Sequence, residues 1–314
     1  MRFPLHHAAL TLSCLWLCAF PLNATESAPA GSGDDWVFLD NGQVRLGVKQ
    51  SSGAGIGWFS ASRSERNLIN SWDRGRLIQQ SYYGQKDGSR WNKKPWRWNP
   101  VQGGDWRGHG AKVLALRVAT NSLYAKTLPK HWASGADLPE VTMEEWITLT
   151  GRVAHIRFQM TYTGTNAHPI TSHEVPAFFA EPDLGTLVLY DGPHPWTDGP
   201  VQRSQPGWPN ESRHIAEHWA AYVDTNDFGV GAFVQVADQI TCYRFGDGQR
   251  KHGSCSYFAP IVNFAITPGK VFAYDMFLTL GRSTEMRETF KQISKSFSGI
   301  TPANKPSAEK PDSN

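Results

Sequence analysis

The chain has 314 residues, of which 40% are hydrophobic and 12% aromatic, enough apolar mass for one large core and too much for a disordered protein. Its formal net charge is +3, and the basic residues are scattered rather than gathered on one arm or helix, which argues against a nucleic-acid partner.

Residues 1–30 read as a secretory signal, with Arg2 at the positive end, an apolar run over 8–20 and small residues around Ala24 and 27–30. The protein is therefore expected to be secreted or periplasmic, with no membrane association after cleavage. Cys14 and Cys18 fall inside the leader. The remainder is expected to form one domain over 31–298, followed by a Pro-, Ser- and Lys-rich tail over 299–314 that reads as disordered.

The β signal begins at Val37, where an alternating run turns at Asn41-Gly42. The run 53–58, Gly-Ala-Gly-Ile-Gly-Trp, lacks the Gly-Lys-Ser/Thr ending of a phosphate loop and reads as a tight β turn. Residues 67–106 interleave rings, amides and charges at unusual density. A strand is expected over 76–83 and a long turn-rich loop over 84–110, and such loops are commonly functional. Trp91, Trp96, Trp98 and Trp106 offer flat apolar faces, while Gln79, Gln80, Asn99 and Gln102 offer paired donors and acceptors suited to sugar hydroxyls.

Strands resume from Ala111, with hairpin turns at Gly151-Arg152 and over 224–229. Cys242 and Cys255 flank a Gly-rich, charged turn and are expected to close it as a disulfide in an oxidising compartment. The run 284–297 is the one convincing helix, with Met286, Phe290 and Ile293 on one face. The expected fold is an all-β antiparallel sandwich of roughly fifteen or more strands with one C-terminal helix.

Four segments carry a resemblance: Asp73-Arg-Gly-Arg76 with Gln79-Gln-Ser-Tyr-Tyr83, Asn99-Pro-Val-Gln-Gly-Gly-Asp105, His173-Glu-Val-Pro-Ala177, and Glu217-His-Trp-Ala-Ala-Tyr222. Together the chain resembles the galactose-mutarotase-like supersandwich proteins, in which two large antiparallel sheets stack and one concave face binds sugar. The resemblance implies that fold and a carbohydrate ligand. The sugar-epimerase segment His-x-Tyr-Phe-Asn is replaced here by His173-Glu-Val-Pro-Ala-Phe-Phe. Fold likeness alone does not fix the reaction.

Cleavage of a glycosidic bond needs one protonated and one ionised carboxyl. Glu174 beside His173, and Glu217 between His214 and His218 and next to Trp219, are the expected pair of a glycoside hydrolase, with Asp105 in reserve; Asp73 is a fourth carboxylate, held ionised by Arg74 and Arg76. The rest of the groove is expected from Arg76, Gln79, Gln80, Tyr82, Tyr83, Trp96, Trp98, Asn99, Gln102, His173, His218 and Trp219. The alternative is β-elimination of a uronic-acid polymer, with Tyr or His as base and Arg, Gln or Asn neutralising the substrate carboxylate. Strand alternation then puts Gln80 and Tyr82 on one face and Gln79, Ser81 and Tyr83 on the other. A non-catalytic glycan-binding protein or a sugar epimerase are further alternatives. No Gly-x-Ser-x-Gly elbow or His-Glu-x-x-His spacing is present, so no metal or cofactor is expected.

Overall fold

The computed structural model describes residues 35–251 and 253–297. The leader expected at 1–30 and the tail expected at 299–314 lie outside these residues. Period-two patterning converts directly into strands: along Val141–Thr150 every second side chain is buried, from Val141 and Met143 to Ile147 and Leu149.

Two antiparallel sheets result. The front sheet runs in the order Trp36–Asp40, Val44–Lys49, Gly55–Ala61, Ile78–Ser81, His168–Ala180, Cys255–Ile266, Gln239–Phe245, Glu211–His214, with Pro100–Val101 joining Ile78–Ser81 and carrying Lys130–His131. The back sheet runs Gln202–Ser204, Thr186–Leu189, Trp219–Val223, Phe228–Phe233, Val271–Arg282, Val153–Tyr162, Val141–Thr150, Ser122–Leu128, Lys112–Val118. Their inner faces share one core, in which Leu46, Ile78, Phe178 and Phe258 of the front sheet meet Ile147, Phe158, Val230 and Leu278 of the back sheet.

The outer face of the back sheet is covered by the helix Ser283–Phe297, whose buried Met286 and Phe290 pack with Trp219 and Phe233. Ile293 joins them at the edge, as its spacing predicts.

Three expectations need correction. The strand expected over 76–83 is shortened to Ile78–Ser81, because Asp73 Oδ1 accepts the amides of Gly75 and Arg76 at 2.9 Å each and holds 73–76 as a turn. The loop expected over 84–110 instead contains a separate hairpin, Lys86–Trp91 with Lys94–Arg97, turned at Asn92 and Lys93, whose φ values are +48° and +64°. Finally, Cys242 and Cys255 are free thiols. Cys242 lies opposite Phe258 and faces the core, whereas Cys255 lies opposite Phe245. That odd offset along paired strands turns the two sulfurs to opposite faces of the sheet, so no disulfide can close.

One polar residue occupies a core position of the back sheet. Glu145 is fully buried; its Oε2 accepts from Gln102 Nε2 at 3.0 Å, and its Oε1 has no partner. Burial pushes its pKa up to about 8, above the ordinary value of 4.5 that the unfolded chain has. The folded state therefore holds a proton that the unfolded state releases, so this contribution to stability is complete below about pH 4.5 and is lost as pH rises towards 8. Urea titrations of wild type and Glu145→Gln between those limits should diverge by up to about 1.4 kcal/mol per pH unit, the variant being flatter. Parallel pH profiles would refute a protonated Glu145.

Candidate functional site

Register decides what lines the outer face of the front sheet. Glu174 lies opposite Ser81 on one neighbouring strand and Ile261 on the other, so all three side chains share a face. Tyr83 follows two residues after Ser81 on that face. Tyr257 pairs with Phe179 and with Tyr243, which adds three rings beside them. These rings pack with Ala177, Ala259 and Ile261 as a small apolar floor outside the main core.

Upon that floor stands a single carboxyl ringed by hydroxyls. The Tyr257 hydroxyl donates to Glu174 Oε1 at 2.6 Å, and the hydroxyls of Tyr83 and Ser81 also reach the carboxyl. Burial against the rings raises the Glu174 pKa, and the three hydroxyl donors oppose the rise without cancelling it. The Tyr83 and Tyr257 hydroxyls are held well above the usual tyrosine range, first by burial and then by the neighbouring Glu174. Glu174 is thus the group of this cluster whose pKa is moved up from the carboxyl range, while the tyrosines stay hydroxyl donors.

Trp208 rises beside this floor, 62% exposed, with its ring edge-on to Tyr243 at 4.8 Å. Opposite, the guanidinium of Arg97 lies 5.9 Å from the Tyr83 ring and donates to Thr171 Oγ1 at 3.4 Å. Arg76 pairs with Asp73 and also reaches the Cys255 thiol. A depression of about 290 Å³ next to it is lined by Asn70, Trp72, Glu181, Arg250 and Gly253. Its Glu181 is raised to about 7, first by burial, with Arg250 opposing.

Of the residues expected from sequence, Glu174 and Tyr83 meet in this cluster, and Arg76 stands near its rim beside Cys255. The side-chain amides are engaged elsewhere. Gln79 donates to the carbonyls of Arg74 and Gly75 and accepts the Gly103 amide. Gln80 accepts from the Tyr82 hydroxyl inside the core, and Gln102 accepts the Gln80 amide while donating to Gly53 and Glu145. Asn99 donates to the Tyr82 carbonyl at 2.7 Å. Trp98 is buried and stacked on His168 at 4.1 Å, and Trp96 donates to Asn99 from the separate hairpin. His173 points inward against Phe264, its pKa lowered to about 4 by burial.

Asp105 is buried too, its oxygens taken by the amides of Arg107 and His109 and by the His109 ring at 2.7 Å. It fixes the loop 104–110.

The expected carboxylate pair is not assembled. Glu217 lies fully buried at the outer surface of the back sheet, where the Arg287 guanidinium of the helix grips both its oxygens at 2.7 and 2.8 Å. The Trp219 indole and the Trp196 amide complete its shell at 2.8 and 2.6 Å. His218, at φ +59°, is held by the Ala237 carbonyl. Glu174 and Glu217 therefore stand on outer faces of different sheets, with the sandwich core between them. The sequence reading placed Ser81 on one face with Tyr83 without giving it a role, and missed Tyr243, Tyr257, Trp208 and Arg97. The alternation of Ser81 with Tyr83 was a usable signal, but the pairing of Tyr243 with Tyr257 depends on a register that no local pattern reveals.

Two solved structures share this architecture over most of the chain. A galactose mutarotase-like protein from Lactobacillus casei superposes with a TM-score of 0.50 at 12% identity, covering 78% of this chain and 100% of its own. A candidate aldose 1-epimerase from Escherichia coli K12 gives 0.50 and 12%, covering 79% and 99%. The chain has the galactose-mutarotase-like fold. No protein-family model matches it, and no curated protein matches it in sequence. At 12% identity the likeness concerns backbone architecture.

The Glu217–Arg287 pair ties the helix to the back sheet, and removing one partner strands a buried charge. Glu217→Gln should cost on the order of 3 kcal/mol in chemical denaturation. Any activity per folded molecule should be unchanged; an unaltered midpoint with lost activity would return Glu217 to the site.

Proposed function

We propose that the protein acts on a saccharide bound to the outer face of the front sheet, and that Glu174 exchanges a proton with it. This is single-carboxyl proton transfer, the chemistry of sugar epimerisation, in place of two-carboxylate hydrolysis. The observation that carries the reading is the Glu174 carboxyl with its raised pKa, bonded by Tyr257 at 2.6 Å amid Tyr83 and Ser81, while Glu217 is held by Arg287 elsewhere. Aromatic rings beside hydroxyl donors are what a sugar ring requires, apolar on its faces and polar at its edge. In the deprotonated form Glu174 would take a proton from the sugar, and a tyrosine hydroxyl, released from the carboxyl as it becomes protonated, would turn to donate to the sugar oxygen on which charge develops. The structural neighbours, described as mutarotase-like or epimerase-like, agree with a saccharide ligand. The leader at 1–30 supports action outside the cytoplasm.

A second reading, β-elimination on a uronic-acid unit, is favoured by one observation: Arg97 beside Tyr83 stands where it would neutralise a substrate carboxylate next to Glu174.

The test is a panel of monosaccharides and neutral and acidic oligosaccharides, followed by NMR for anomer exchange, by ultraviolet absorbance for unsaturated products and by a reducing-end assay. Anomer exchange is expected, and unsaturated products would select the second reading. Glu174→Gln should lower the rate about 100-fold or more, and Tyr257→Phe about tenfold. The acid limb of the pH–rate profile should sit above 4.5, the ordinary value for a glutamic acid, and vanish in Glu174→Gln. New reducing ends without unsaturation, or wild-type rates in Glu174→Gln, would overturn proton transfer by this residue.

A further inference from the structure

We infer that the hairpin Lys86–Trp91/Lys94–Arg97, with the adjoining turn at Trp106 and Arg107, is a binding surface for a carboxylated polysaccharide chain. The hairpin belongs to neither large sheet. It carries Lys86, Arg90, Lys93, Lys94 and Arg97, and Arg107 lies beside it across a cavity of about 490 Å³ that Arg90, Asn92, Lys93, Trp106 and Arg107 line.

Charge is what sets this surface apart. None of these cations is ion-paired among the described residues; Arg90 donates to the Lys93 carbonyl, Arg97 to Thr171 Oγ1 and Arg107 to the Ser134 carbonyl. The carboxylates of the same stretch are turned away. Asp87 is taken by His131 at 2.6 Å and by Ser89, and Asp105 by His109. Five cations against the single carboxylate Asp87 leave the hairpin with a net positive charge, a standing attraction for an anion.

Aromatic surface accompanies the charge. Trp91 packs edge-on against Trp96 at 4.8 Å and Trp132 at 5.9 Å, and Trp106 is 39% exposed at the cavity with the Arg107 guanidinium 5.0 Å from its ring. A sugar ring stacks its apolar face on such an indole, while a carboxylate at the ring edge meets a guanidinium without covering that face. Neutral sugars would leave the cations idle.

Charge and rings together also suit single-stranded nucleic acid. What favours a polysaccharide is where the hairpin ends. Arg97 lies against Tyr83, so a chain along the hairpin would run onto the face of Tyr83, Ser81 and Tyr257, whose rings and hydroxyls suit a sugar ring. Binding itself stands on the hairpin alone; only the connection to chemistry rests on the proposed function.

The probe is polygalacturonate, titrated against the mature chain by affinity electrophoresis and tryptophan fluorescence, with dextran, dextran sulfate and single-stranded DNA as comparisons. Polygalacturonate should bind with an affinity that falls as salt rises, and dextran should not bind. The double variant Arg90→Gln/Lys93→Asn should weaken binding at least about tenfold with the unfolding midpoint kept, because Asn tolerates the left-handed φ of +64° at position 93. Should that variant unfold, Lys86→Gln/Lys94→Gln, both on exposed positions, gives the same reading. Glu174→Gln should retain binding while losing turnover, so failure of the catalytic reading is separable from failure of this one. Equal affinity in the charge variants, equal affinity for dextran, or tighter binding of DNA or dextran sulfate than of polygalacturonate would each overturn the inference.

Discussion

The structure depends on how the short strand Ile78–Ser81 is satisfied at the centre of the front sheet. Four residues long, it meets Gly55–Ala61 at one register position only and His168–Ala180 across a bulge between Glu174 and Ala177. Its backbone would otherwise leave buried polar groups unpaired, at a cost of about 1–3 kcal/mol each. Side chains fill the gap. Gln102 accepts the Gln80 amide, Asn99 binds the Tyr82 carbonyl, His173 Nδ1 accepts the Tyr83 amide at 3.1 Å, and Gln79 ties the strand to the turn over 73–76. This scaffold sets the direction of Ser81 and Tyr83, and so builds the hydroxyl ring round Glu174.

The same constraint explains why so much of the polar chemistry between 67 and 106 is internal. Asn67 accepts from the amides of Phe59 and Ile69 and donates to the carbonyls of Gly57 and Ile69. Asn70 accepts from Trp72 and donates to Ser254, pinning the turn after Phe245 beside Arg76. An amide with two donors and an acceptor replaces a missing strand neighbour more completely than a hydroxyl can. Dense amides in a β sequence therefore report irregular pairing as readily as a ligand surface.

Much of the fold was legible because hydrophobic alternation is local. The hairpins at Asn41-Gly42, Gly151-Arg152 and 224–229 and the apolar face of the helix Ser283–Phe297 follow from residues that are neighbours in sequence. The site was legible only in part. Glu174 and Tyr83 could be singled out as a carboxyl and a hydroxyl on strands, yet their partner Tyr257 joins them through a pairing 83 residues away from Glu174. Glu217 misled because its neighbours His214, His218 and Trp219 resemble a catalytic setting, whereas Arg287, 70 residues on, decides its role. Cys242 and Cys255 misled likewise, since spacing across a hairpin does not reveal on which face each sulfur lies.

The two outer faces make the division of labour physical. On the back sheet, Met286 and Phe290 cover Trp219 and Phe233, and the Glu217–Arg287 pair supplies the geometry that an apolar contact alone lacks. Gripped on both oxygens by a guanidinium and bonded by Trp219 and Trp196, the buried Glu217 has no oxygen turned to a ligand. On the front sheet the partners of Glu174 are neutral hydroxyls, which stabilise its ionised form less than burial destabilises it, so its pKa stays raised. Proton exchange needs a carboxyl whose two forms are close in free energy at working pH. Burial among neutral hydroxyls moves Glu174 towards that condition from the ordinary glutamic acid value, whereas Glu217 is spent on tying the helix to the back sheet.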